Sequence, residues 1–130
     1  DTLDIDITYP SLGNIKAQGQ ITMDSPTQFK WDATTKGEND FHGRLTGTLQ
    51  RTEEAKEATE EARRRGITTQ AAQLLPGTWQ ATFTNEDGQT SQGQWHFQPR
   101  SPYTMDIVAQ GTISDGRPIV GYGKATVKTP

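Results

Sequence analysis

Apolar and polar residues alternate with period two through most of this chain. In LDIDITY, Leu3, Ile5, Ile7 and Tyr9 share one face and Asp4, Asp6 and Thr8 the other. NIKAQGQITM groups Ile15, Ala17, Gly19, Ile21 and Met23. TQFKWDA groups Phe29, Trp31 and Ala33, and DFHGRLTGTL groups Phe41, Gly43, Leu45, Gly47 and Leu49. The pattern returns after residue 76. GTWQATFT aligns Trp79, Ala81 and Phe83, and SQGQWHFQ aligns Gly93, Trp95 and Phe97. YTMDIVAQG aligns Tyr103, Met105, Ile107 and Ala109, and PIVGYGKATV aligns Ile119, Gly121, Gly123, Ala125 and Val127. Successive side chains of a strand point to opposite faces, so each segment predicts a strand with one apolar face. The clusters YPSLGN, DSP, KGEND, NEDGQ, QPRSP and SDGRP supply the turns between them.

One stretch breaks the alternation. RTEEAKEATEEARRRG, residues 51–66, holds five acidic and five basic residues. It predicts a helix over 52–65, with Thr52 as cap, Glu53 and Glu54 in the first turn and Arg63, Arg64 and Arg65 in the last. Acid first and base last suits the helix dipole, and Gly66 is a stop. Glu60–Arg64 and Glu61–Arg65 are spaced to pair along it. Ala55, Ala58 and Ala62 form a narrow stripe for a close contact. A second short helical turn is expected in ITTQAAQLLPG, closed by Pro76 and Gly77.

The two runs of four strands repeat one another. Gln18-Gly19-Gln20 matches Gln92-Gly93-Gln94, Ser25-Pro26 matches Ser101-Pro102, Gly43 matches Gly121, and Thr48 matches Thr126. The expected organisation is a single domain over 1–130. It comprises a first meander (1–50), a helical linker (51–76) and a second meander (77–130). Two half-sheets with one apolar face each can bury those faces together. The predicted fold is therefore all-β: an eight-stranded antiparallel barrel or sandwich made of two four-stranded pseudo-repeats joined by one helix. Exchange of halves between two chains, giving a homodimer, is the alternative.

Composition narrows the function. Only 30% of the 130 residues are hydrophobic, and mean hydropathy is -0.82, so the core is thin. The net charge of -3 gives no basic face for nucleic acid. No apolar run approaches the roughly 20 residues of a helical membrane span. The absence of Cys removes disulfides and thiolate metal sites, and two separate His residues are a poor ligand set. No metal or cofactor is expected. The chain begins at Asp1, as a processed or trimmed chain does, and reads as soluble, with a secreted or periplasmic location left open.

LLPGTW, residues 74–79, places Gly-x-Trp at the start of a strand. In this it resembles the opening of lipocalin and avidin-type barrels, the calycins. The resemblance rests on Gly77, Trp79 and the meander, and it lies mid-chain, where the family has it near the N-terminus. It implies an up-and-down barrel that holds a small ligand.

The inward face carries no Asp, Glu, His, Lys or Arg. His42 and His96 fall on the polar face, as do Asp32, Arg44 and Asp106. Cross-strand pairing of Asp32 with Arg44 and of Asp106 with Lys124 is expected. No catalytic residue is assigned. The aromatics Trp31, Trp79, Trp95, Phe29, Phe41, Phe83, Phe97 and Tyr103 all read as inward, beside six inward glycines. A barrel of eight strands is filled by side chains or holds one small ligand. The ligand-binding candidates are Trp31, Trp79, Trp95, Phe29, Phe97, Tyr103 and Gly121, with Gly121 expected to face open space. Val108, Val120 and Tyr122 are apolar residues on the outer face of neighbouring strands, and are the candidates for a protein partner. The resulting reading is a non-catalytic protein that binds a small apolar ligand inside or a protein outside. A barrel-type cyclase or isomerase with a hydrophobic substrate, and a structural or adhesive module, are the rival readings.

Overall fold

A computed structural model of the chain describes residues 2–10, 13–37, 42–51, 56–66, 70–112 and 116–127. Eight strands run in order: β1 (Thr2–Tyr9), β2 (Ile15–Ser25), β3 (Gln28–Lys36), β4 (His42–Gln50), β5 (Gly77–Thr84), β6 (Thr90–Ser101), β7 (Thr104–Thr112) and β8 (Pro118–Val127). Two helices, α1 (Lys56–Arg64) and α2 (Gln70–Leu74), lie between β4 and β5. Every strand pairs antiparallel with its neighbour in sequence, and β8 closes on β1, so the fold is a closed barrel and not a sandwich.

The register shows how the strands tilt. From Gly77 at the start of β5, the paired residues run through Phe97, Ile107, Gly123, Ile7, Ala17 and Thr35 to Gly43. Gly43 lies beyond the Thr46–Thr84 pair, so one circuit climbs the whole length of β5. Such a stagger is what closing a tilted sheet requires.

The alternation holds in space. Leu3, Ile5, Ile7, Ile21, Phe29, Trp31, Leu49, Trp79, Trp95, Phe97, Met105 and Ile107 are all buried in one core. Four of the inward glycines turn the corners. A Cβ built on Gly19, Gly47, Gly93 or Gly123 would lie 1.8, 1.7, 2.1 or 1.9 Å from a carbonyl oxygen of the next strand, on Asp32, Thr82, Gln110 and Asp6 respectively. Only a residue without a side chain permits that approach, and glycine kinks of this kind let a sheet curl into a barrel.

The β2–β3 and β6–β7 turns share their geometry. Ser25 Oγ accepts from the Thr27 N–H at 3.3 Å, and Ser101 Oγ from the Tyr103 N–H at 3.2 Å. The carbonyls of Thr27 and Tyr103 accept in turn from the N–H groups of Arg51 and Val127, at the ends of β4 and β8. Each hairpin carries a register shift beside its serine.

Tyr103 corrects the sequence reading. It belongs to the turn ahead of β7, not to the inward face, and is 58% exposed. The β7 strand starts at Thr104, so the period-two count from Met105 and Ile107 does not extend to Tyr103 in the turn.

The helices close the barrel end opposite the β1–β2, β3–β4, β5–β6 and β7–β8 turns. Ala71, Ala72, Leu74 and Leu75 are buried there, and so is Ala62 on α1. The expected second helical turn is α2. The Glu61–Arg65 pair forms at 2.9 Å. Thr52, Glu53, Glu54, Ala55 and Phe41, and the side chains of Ala58 and His42, lie outside the described residues.

Candidate functional site

The inward aromatics form two groups. At the helical end, Phe29 meets Trp79 edge to face, with centroids 5.1 Å apart at 81°. Arg51 lies over the other part of this group, its guanidinium carbon 4.2 Å from the Trp79 ring centroid. Its Nη1 donates to the Pro76 carbonyl at 3.3 Å and its Nη2 to the Leu74 carbonyl. The Trp79 indole N–H donates to the Leu75 carbonyl at 2.8 Å. Trp79 and Phe29 are thus fastened to the closing segment. Sequence reasoning misses Arg51 because it opens a charged run and reads with the helix; the available signal is its place immediately after the last strand residue of β4.

The second group lies further along the barrel. Trp31 and Trp95 are 5.0 Å apart at 41°, Trp95 and Phe97 are 6.1 Å apart, and Trp31 and Phe83 are 6.3 Å apart. Trp31, Trp95 and Phe97 are buried, whereas Phe83 is only partly so. The Phe83 ring reaches across towards β7, its Cζ 3.2 Å from the position a Cβ would take on Gly111.

Two polar groups face inward near the turns. Thr35 is the buried polar side chain among the described residues, and no charged one is buried there. Tyr9 is 7% exposed, and burial pushes its hydroxyl pKa up to about 12. Its ring covers Gly121, with ring carbons 2.6 and 2.7 Å from a Cβ built on that glycine. Gly121 therefore faces the Tyr9 ring and Ile7, not the open space expected of it.

On the outer wall, Val108 lies directly opposite Tyr122 and opposite His96 on its other side, while Val120 pairs with Gln110. The structure brings Val108, Val120 and Tyr122 onto one face, with Tyr122 57% exposed and both valines half-buried. His96 is outward, its Nδ1 3.0 Å from Thr78 Oγ1. Arg44 Nε donates to Asp32 at 3.1 Å, and the bonded guanidinium lowers the Asp32 pKa. Asp106 pairs with Arg100, although Lys124 stands opposite it in register. A groove of about 570 Å³ runs over the outer face from β2 to β5, lined by Gln20, Thr22, Lys30 and Asp32 on one side and by the outward threonines of β4 and β5 on the other, with Trp31 and Gly47 between them.

Among the described residues no three His, Cys, Asp or Glu side chains are grouped to hold a metal. No helix is long and apolar enough to cross a membrane.

No protein-family profile and no curated protein sequence matches the chain. Solved structures do. A de novo designed fluorescence-activating β-barrel matches with TM-score 0.55 and 12% identity, over 98% of this chain and 91% of that one. The barrel EF1p2_mFAP2b bound to DFHBI matches with TM-score 0.58 and 13% identity, again over 98% and 91%. The redesigned barrel mFAP1 bound to DFHBI matches with TM-score 0.54 and 17% identity, over 96% and 91%. At these identities the likeness concerns the fold.

Proposed function

We propose that this barrel binds a small, flat apolar molecule at the Trp31–Trp95–Phe83 group. The observation that carries the reading is that no charged side chain is buried among the described residues and that Phe83 is only partly buried while Trp31 and Trp95 beside it are buried. A ligand that displaces the Phe83 ring gains Trp31 and Trp95 as stacking partners. Aromatic contacts of this kind contribute about 0.5–1.5 kcal/mol each beyond area burial. Tyr9 stays protonated at neutral pH and offers a hydrogen-bond donor, not a base. Barrels of this fold that bind DFHBI support the choice of ligand class.

The finer sequence readings support the same picture. The Gly77-x-Trp79 opening is the calycin-like element, and the matched Ser25 and Ser101 turns are what favours two repeated halves, 1–50 and 77–130. A second reading, a protein-binding face, rests on Tyr122 standing exposed beside Val108 and Val120.

Titration with DFHBI and with a panel of flat apolar fluorophores tests the proposal. Binding should change tryptophan emission and raise the melting temperature with ligand concentration. Phe83→Ala should alter affinity severalfold in either direction. If no compound moves emission or melting, the interior is only a packed core. The outer face then becomes the site, and Tyr122→Lys would be expected to abolish partner capture.

A further inference from the structure

The β4–β5 seam differs from the other seven. Its pairing, Thr46–Gln50 against Gln80–Thr84, is the shortest in the barrel among the described residues. Side chains also take part in closing it. The Thr82 carbonyl accepts from the Trp31 indole N–H at 3.2 Å, and the Thr48 N–H donates to Thr82 Oγ1 at 3.2 Å. The hydroxyls of Thr48 and Thr82 meet at 2.8 Å across the seam. Gly47 leaves no side chain between interior and exterior at this level. The indole nitrogen of Trp31 sits 2.7 Å from where a Cβ on Gly47 would be. The outer groove reaches this place from β2 and β3, with Thr46, Thr48, Thr82 and Thr84 on its seam side.

We infer that the β4–β5 seam is the ligand's entrance, with Trp31 as its gate. The inference rests on the proposed binding at the Trp31–Trp95–Phe83 group. The helical end is plugged by Leu74 and Leu75 and fastened through Arg51. Parting the seam at Gly47 breaks the Trp31–Thr82 bond and the threonine contacts and exposes the indole directly to the groove. A hydroxyl, amide or carbonyl on the incoming molecule can meet the threonine hydroxyls there, each of which both donates and accepts. Lys30 and Asp32 line the same groove, so the class admitted is a flat apolar molecule bearing a polar edge.

A reversible staple tests this in a chain that has no cysteine of its own. The double variant Thr48→Cys/Thr82→Cys places a disulfide across the seam. Thr104→Cys/Thr126→Cys, directly opposite one another across β7–β8 and outside the groove lining, is the control. Oxidation of the seam pair should slow DFHBI association at least tenfold, and reductant should restore it; the control should bind at the parent rate in both states. Amide exchange at Thr48 should be at least tenfold faster than at Ala33 in the parent and fall on oxidation. Association at the parent rate in the oxidised seam variant overturns the entrance, as does Thr48 exchange as slow as that of Ala33. If DFHBI binds neither form yet Thr48 exchange is fast and falls on oxidation, the opening seam stands and the binding reading falls.

Discussion

Arg51 stacks on Trp79 while holding the carbonyls of Leu74 and Pro76, so one side chain joins the end of β4, the start of β5 and the segment that closes the barrel. An arginine suits this place because its flat, weakly hydrated guanidinium can stack and donate at once. Arg51→Ala removes the stacking and leaves carbonyls without their charged donor. The expected loss is about 2–4 kcal/mol, read by urea unfolding. Arg51→Lys keeps the charge without the fork and should fall between. A parent-like midpoint for the alanine variant would show that the closing segment holds by its apolar contacts alone.

The glycine corners give a second test. Gly47→Ala drives a methyl into the Thr82 carbonyl, which belongs to backbone and cannot swing aside. It should cost about 3 kcal/mol or more, on the scale of severe core substitutions. Gly88 has φ 79° with nothing within 4 Å of its added Cβ, so Gly88→Ala meets only left-handed strain of roughly 1–2 kcal/mol. Equal melting temperatures for the two variants would contradict the corner role. Gly121→Leu, which collides with Tyr9 and Ile7, should unfold the barrel and not fill a pocket.

Burial of Tyr9 predicts an alkaline weakness. Its hydroxyl pKa rises from 10.0 to about 12 in the fold, so between those values the unfolded chain loses the proton first. The stability contribution is fully present below pH 10 and drains as pH climbs to about 12, at roughly 1.4 kcal/mol per unit. Tyr9→Phe should show a shallower decline over pH 10–12 in parallel denaturation curves. Identical slopes would mean that the hydroxyl finds water in the folded state.

Helix α1 rests on Ala62, 1% exposed. Ala62→Asp buries a carboxylate without a partner and should cost about 3 kcal/mol or displace the helix. Glu60→Ala, on the exposed side, should stay within roughly 0.5 kcal/mol. Thermal melts that coincide for both variants would place α1 in solvent.

Alternation makes the strands legible because the inward residues from Leu3 onward sit beside polar ones that must stay wet, Ile119 and Gly121 beside Val120 and Tyr122 being the exception. Barrel and sandwich cannot be told apart that way, since closure depends on Leu3 finding Val127, a relation no local pattern encodes. Parity also says which face a residue takes but not what opposes it, so Gly121 reads as space although the Tyr9 ring covers it. Tyr103 fails because it lies in the turn ahead of β7, where strand parity has not yet begun. For Arg51 the obstacle is distance: its partners at 74, 76 and 79 are brought back by two helices whose docking is tertiary. Among the candidate residues, Trp31 and Trp95 are brought together as inward aromatics, while Trp79 and Phe29 are fastened to the closing segment.

Ring closure also orders events in time. Seven seams join strands that follow one another in the chain, but the eighth joins its two ends. Loop-closure entropy for that last pairing must be met before its contacts repay it, so β1 and β8 are expected to zip after the meander has formed. Until then both strands carry open edges of the kind that recruit other chains. Asp4 and Asp6 on β1 and Lys124 on β8 act as gatekeepers in that interval. Asp6 and Lys124 end directly opposite one another, so the charges that repel a second copy of either edge attract the correct one.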